Sequence, residues 1–290
     1  VILLQKMGFV NAAGEKISFD NFAPRVFWKA DGLGLAGAEA VYTQAVGQHG
    51  YSLASVLLSS RIVRMTGHVH GVDNEEMYRL RYKTASVCNP LLGAGTLMYE
   101  NDSGKWQTGA FVRDMNYGEK GFGIQTIEIV FECPSPFWLS QEEKTVRLSY
   151  VEGGLEFPLK FPAFFGTLGY RAEINNEGNG VVPIRFSIGG GSKNPVIKNK
   201  TTGQKIQINR GFHESDRLYI NTDPDDISVK FETTDAETNE KRLENAFGFL
   251  TDDSELFTLA PGINEVLFYS DDNNRKVSVV LSYRDRYAGV

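Results

Sequence analysis

The chain has 290 residues and a net charge of -6. The length suits two ordinary domains. The acidic balance argues against nucleic-acid binding, which needs a basic stripe to displace counterions, and no apolar run approaches the ~20 residues of a membrane span.

Plentiful aromatics (19 Phe, 12 Tyr) and 30 glycines suit many short strands joined by turns. The opening Val1-Ile2-Leu3-Leu4 lacks the charged region of a signal peptide and an initiator Met, so a few residues are expected to have been trimmed. Residues 1–28 read as strands about a turn at Asn11-Ala12-Ala13-Gly14. Residues 29–50 hold Gly32, Gly34, Gly37, Gly47 and Gly50 among small side chains that cannot anchor a core. Such a segment is expected to be an arm or loop ordered against a neighbour. Strand character resumes over 53–69, with Val63, Met65 and Val69 on one face.

A helix is predicted over 74–88. Asp73 caps it, Glu76 completes a capping-box-like pattern, and Met77, Leu80, Thr84 and Val87 form one stripe. Asn89-Pro90 ends it. Strands over 93–99 and 106–116 flank the turn Asn101-Asp102-Ser103-Gly104. Residues 126–132 alternate, with Ile127, Ile129 and Phe131 on one side. Pro134 and Pro136 must stop that strand, and Phe137 and Trp138 follow as packed rings. This stretch reads as a hinge and the domain boundary. Beyond it, strands are predicted at 144–151, 168–175, 183–188, 195–199, 204–209, 217–221, 227–231, 247–250, 263–268 and 276–283. Residues 233–244 read as a solvated loop. Many short strands with polar turns favour a β-sandwich.

No motif supports chemistry. Gly32-Leu33-Gly34-Leu35-Ala36-Gly37 spells a dinucleotide fingerprint, but no acid lies between Glu39 and Asp73 and no βαβ pattern surrounds it. A loop is expected. His68 and His70 could share a strand face, with His49 a third metal ligand only by accident; structural histidines are expected. Asp223-Pro224-Asp225-Asp226 and Asp252-Asp253-Ser254-Glu255 lack EF-hand spacing and read as turns. Glu128 and Glu132 on one strand would stand roughly 13 Å apart, too far for a retaining pair. Asn199-Lys200-Thr201 is a glycosylation sequon in spelling only. Cys88 and Cys133 are expected as reduced thiols. No catalytic, cofactor-binding or metal-ligating residue and no cofactor is nominated.

The order of these pieces resembles the siphovirus distal tail protein family, over nearly the whole chain. The resemblance rests on the helix with Asn89-Pro90-Leu91-Leu92-Gly93-Ala94-Gly95-Thr96-Leu97, on Phe131-Glu132-Cys133-Pro134-Ser135-Pro136-Phe137-Trp138, and on the run from Pro195 to Asn209 followed by Leu259-Ala260-Pro261-Gly262-Ile263-Asn264. It implies a mainly β protein. Residues 1–137 would form a ring-forming split β-barrel-like domain with one α-helix, and 138–290 an outward galectin-like β-sandwich. The implied function is structural, not enzymatic. A hexameric ring would join the tail tube to the tail tip and to fibre or receptor-binding proteins, in a virion tail assembled in the bacterial cytoplasm, with no stable nucleic-acid or membrane binding. The alternative is a module binding host cell-wall polysaccharide through Tyr150, Phe157, Phe161, Phe164 and Phe165, although the four Phe more readily cover a core. A hydrolase of cell-wall polymer is a third reading.

Overall fold

The computed structural model describes residues 5–151, 169–234, 240–272 and 274–290. The chain divides into two compact units: residues 1–141 with 286–290, and residues 142–285. The expected step after Phe137 therefore differs by four residues. The chain also returns to the first unit at its end.

The first unit contains β1 (Lys6–Val10), β2 (Lys16–Phe19), β3 (Arg25–Asp31), β4 (Ala38–Thr43), β5 (Ser52–Leu58), β6 (Arg61–His70), α1 (Asn74–Val87), β7 (Gly95–Asn101), β8 (Gly104–Lys120), β9 (Ile124–Cys133) and β10 (Trp138–Ser140). One sheet runs in the order β2-β1-β7-β8-β9-β6-β3. The long strand β8 serves two partners: its first half pairs with β7, and its second half, from Phe111, with β9, with a register shift between Val112 and Asp114. The two end strands meet only at an isolated parallel bridge, Asp20 to Val26, supported by Phe27 N–H donating to Asp20 O at 2.6 Å. The result is a barrel split along one seam. Inside, Val63, Met65 and Gly67 of β6 lie opposite Phe131, Ile129 and Ile127 of β9, and all but the glycine are core side chains. Gly67 leaves room where a Cβ would meet the Phe19 ring at 2.8 Å and Val26 O at 2.7 Å.

Helix α1 lies against this core by the predicted stripe. Met77, Thr84 and Val87 are buried and Leu80 partly so. Asp73 accepts from Glu76 N–H at 2.8 Å, and Glu76 accepts from Val72 N–H at 2.9 Å. The first satisfies a backbone donor that a helix start leaves over, and the second ties the residue before the cap to the first turn. Asp73→Ala is expected to cost about 1 kcal/mol, read as a lower urea midpoint.

The second unit contains β11 (Lys144–Arg147), β12 (Ser149–Val151), β13 (Gly169–Asn176), β14 (Arg185–Gly189), β15 (Val196–Asn199), β16 (Lys205–Gln207), β17 (Arg217–Asn221), β18 (Ser228–Thr234), β19 (Lys241–Asn245), β20 (Gly262–Tyr269) and β21 (Ser278–Tyr283). They form two sheets, β11-β21-β14-β17-β18-β19 and β12-β13-β20-β15-β16. Side chains from both, among them Phe186, Phe231 and Leu281 from one and Ile174, Ile197 and Phe268 from the other, build one core. This is a sandwich, and the protein as a whole is mainly β. Lys144 bonds the nearly buried carboxylate of Asp285 at 2.7 Å, fastening the start of this unit to its end.

Two local expectations are corrected. Lys241–Asn245 is a strand, where a solvated loop was expected; it pairs with β18 from Lys230↔Asn245 to Thr234↔Lys241. Phe247–Phe249 is a 3-10 turn rather than a strand. The expectations for Val1 to Leu4, Phe157, Phe161, Phe164, Phe165 and Leu168, and for part of the 233–244 loop, lie outside the described residues.

Candidate assembly site

The segment rich in glycine is a two-stranded antiparallel ribbon. β4 and β5 pair from Ala38↔Leu58 to Thr43↔Ser52, with a bulge between Val41 and Tyr42. Every residue of both strands is exposed. The register sorts the side chains: Ala38, Ala40 and Tyr42 share a face with Leu58, Val56 and Leu53. Tyr51 joins that face, its ring centroid 5.9 Å from that of Tyr42. Glu39, Val41, Thr43, Ser52, Ser55 and Leu57 point the other way, so that face is mixed. Leu53 is 58% exposed. An isolated hairpin is marginal in water, and a contiguous apolar face of this kind marks an interaction surface.

The ribbon's root is held far more firmly than its tip. Arg61, at the start of β6, is 2% exposed. Its guanidinium donates to Gly32 O at 2.7 Å, to Gly34 O, to Pro136 O at 2.7 and 3.0 Å, and to Ala288 O. It also lies 5.7 Å from the centre of the Trp138 ring. Burial pulls its pKa below the ordinary arginine value. One side chain thus ties together the loop entering the ribbon, the proline connector and the chain's end. Gly32 has φ +88°, and a Cβ there would sit 2.0 Å from Ile62 O. Ser59 N–H donates to Gly37 O at 2.8 Å, and Val290 N–H to Leu33 O at 3.0 Å. The loop that leads into the ribbon is therefore pinned on both sides. It is followed by a strand, not the helix a dinucleotide site requires.

The remaining sequence candidates fall apart spatially or prove structural. His68 and His70 share an outward face of β6, ring centroids 6.2 Å apart; Trp28 stacks on His68 and Thr126 Oγ1 bonds His68 Nδ1 at 3.2 Å. His49 sits on the ribbon's tip. Among the described residues no three His, Cys, Asp or Glu side chains gather as metal ligands. Glu128 and Glu132 face Thr66 and Ile62 across the sheet, and Glu132 pairs with Arg113 at 3.4 Å. Asp223 and Asp226 build a turn with Asn221, and Asp253 bonds Thr251 and Lys205. Asn199 is fully buried, its side-chain oxygen accepting from Thr201 N–H at 3.0 Å. Tyr150 meets Tyr170 edge-on at 5.1 Å and carries Arg275 over its face. Cys88 and Cys133 are free and buried, and burial pushes both thiols up to about 12.

Residues 13–133 match the family model for a phage tail protein RIFT-related domain, and residues 177–287 match that for the C-terminal domain of a siphovirus-type tail component. The chain belongs to the siphovirus distal tail protein family. This tail component is a structural, non-enzymatic protein of a phage tail. Its fold is similar to that of the Dit protein (gp 19.1) of phage SPP1, described as a paradigm of the hub adsorption apparatus in phages infecting Gram-positive hosts. The TM-score is 0.67 at 11% identity, over 97% of this chain and 98% of that one. It is also similar to a chain of the phage p2 baseplate in its activated conformation, with Ca (TM-score 0.54) and with Sr (0.55), each at 15% identity over the full length of both chains. No curated protein matches.

Proposed function

We propose that this tail component closes a hexameric ring through its first unit and offers its second unit, galectin-like in topology, as an outward platform. The ring joins the tail tube to the tail tip and to fibre or receptor-binding proteins, and it assembles in the bacterial cytoplasm. The observation that carries this reading is the ribbon: an apolar face on a firmly anchored root, exposed among the described residues. A head-to-tail contact that closes after a fixed rotation supplies the cover. The net charge of -6 fits a bore that lets phosphates pass without holding them.

The test removes residues 38–58 in favour of a short Gly-Ser linker. The parent protein is expected as annular particles in negative stain with a hexameric mass. The shortened protein is expected as a monomer with an unchanged urea midpoint, since the ribbon contributes nothing to either core. Rings that persist without the ribbon would overturn the reading.

A further inference from the structure

We infer that one loop end of the second unit holds a binding site for a short neutral saccharide. The inference stands on that unit alone and is independent of the ring.

The connections β14–β15, β16–β17 and β20–β21 meet there and line an open cavity of about 550 Å³, a size that small-molecule sites share. Its walls are cross-tied. Asn274 Nδ2 donates to Gly190 O and to Gly191 O, both at 2.9 Å. Asn194 Nδ2 donates to Asp271 Oδ2 at 2.8 Å, and Asp271 N–H to Lys193 O at 3.0 Å. Ser192 and Phe212 exchange backbone hydrogen bonds at 3.1 and 3.0 Å. These ties hold Gly191 at φ +75° and Asn194 at φ +49°. The second is an uncommon conformation for a residue with a side chain. Backbone kept there by its surroundings points to a prepared site.

The lining selects the ligand. Among the described residues Phe212 is its one apolar side chain, so an apolar ligand would gain little. Charge is balanced: Lys193, Arg275 and Lys276 stand with Asp271, Asp272 and Glu214 in these connections, and Lys276 lies 3.6 Å from Glu214. The nearby Asp216 is buried and committed to the His213 and Thr234 N–H groups. No excess of either sign favours a phosphate or a metal ion. What remains is hydrogen bonding of both kinds. Ser192 is 3% exposed, and its Oγ is buried with no partner among the described residues. Such a group is unfavourable until a ligand or water meets it. Lys193 Nζ, Asn194 Oδ1 and the His213 ring likewise bond nothing among the described residues. A sugar is uncharged, and each of its hydroxyls donates and accepts, which matches this mixture.

The test is saturation-transfer NMR on the intact protein with the methyl glycosides of glucose, galactose and rhamnose, and with N-acetylglucosamine. Transfer to at least one of them at millimolar concentration is expected. Ser192→Ala is expected to weaken that binding about fivefold, the worth of one hydrogen bond. The second unit's urea midpoint by circular dichroism should hold or rise in this variant, because the lost hydroxyl had no partner. Gly211→Phe is expected to keep the fold, since a Cβ there meets its nearest atom, Ser192 O, at an ordinary 3.5 Å. It is expected to abolish binding by filling the cavity. Inorganic phosphate is expected not to displace the sugar. Absence of transfer to every probe would overturn the site, as would binding that survives Gly211→Phe. Displacement by phosphate would overturn the ligand class. Unchanged affinity in Ser192→Ala would overturn the role given to the hydroxyl. Ring yield is expected to be the same in both variants, so failure of the site leaves the ring reading standing.

Discussion

Arg61→Ala is expected to lower the stability of the first unit by about 3–5 kcal/mol, among the largest losses a single substitution causes. Four backbone carbonyls, of Gly32, Gly34, Pro136 and Ala288, lose their donor at once. Each buried acceptor left unsatisfied costs about 1–3 kcal/mol, and water entering the space recovers part of that. Arg61→Lys is expected to fall between, because an ammonium is a compact point charge that cannot span carbonyls on several sides of a planar fork. The readout is clean: Trp28, Trp106 and Trp138 are the chain's three tryptophans and all lie in the first unit. Tryptophan emission against urea therefore follows that unit alone. The same variant is expected to free the ribbon's root, so ring yield should fall even at urea-free equilibrium. An emission midpoint unchanged in Arg61→Ala would show that the carbonyls find other donors without cost.

Much of the fold was written in local pattern. The α1 stripe, the Asp73 cap and the alternation through Ile127, Ile129 and Phe131 all arise from burial of one face, so they show as period. Arg61 carries a signal too. It shares parity with Val63, Met65 and Val69 on β6, so a charged residue stood on the core face, which demands partners. What stayed hidden lacked a buried face. All five residues of Lys241–Asn245 are exposed, so that strand is specified by backbone pairing with β18 and leaves no alternation. The β4–β5 ribbon is exposed throughout, and its bulge breaks what period remained. The first unit's claim on the chain's end was invisible for another reason. Leu139 pairs with Arg286, a contact far apart in sequence with no local trace.

That pairing makes Trp138 the second test. The proline connector suggested a boundary at Phe137, yet Trp138 is fully buried among first-unit side chains. Its ring lies 6.3 Å from Tyr99, Arg61 rests over it, and its backbone pairs with Tyr287. Trp138→Ala is expected to cost about 3–5 kcal/mol, the usual loss for emptying a large aromatic site in a core. Trp138→Phe is expected to cost less than half as much. It keeps most of the apolar contact and removes an indole N–H that has no acceptor, a group whose burial is unfavourable. The cost must appear in the emission transition of the remaining tryptophans. The second unit has its own core and should unfold by circular dichroism at its parent midpoint. Because Arg61 and Trp138 touch, the double variant Arg61→Ala/Trp138→Ala is expected to lose at least 1 kcal/mol less than the sum of the singles, as neighbours sharing partners do. Strict additivity would mean that guanidinium and indole act on separate parts of the barrel, and the account of Arg61 as the common fastening for ribbon root, connector and chain end would fail.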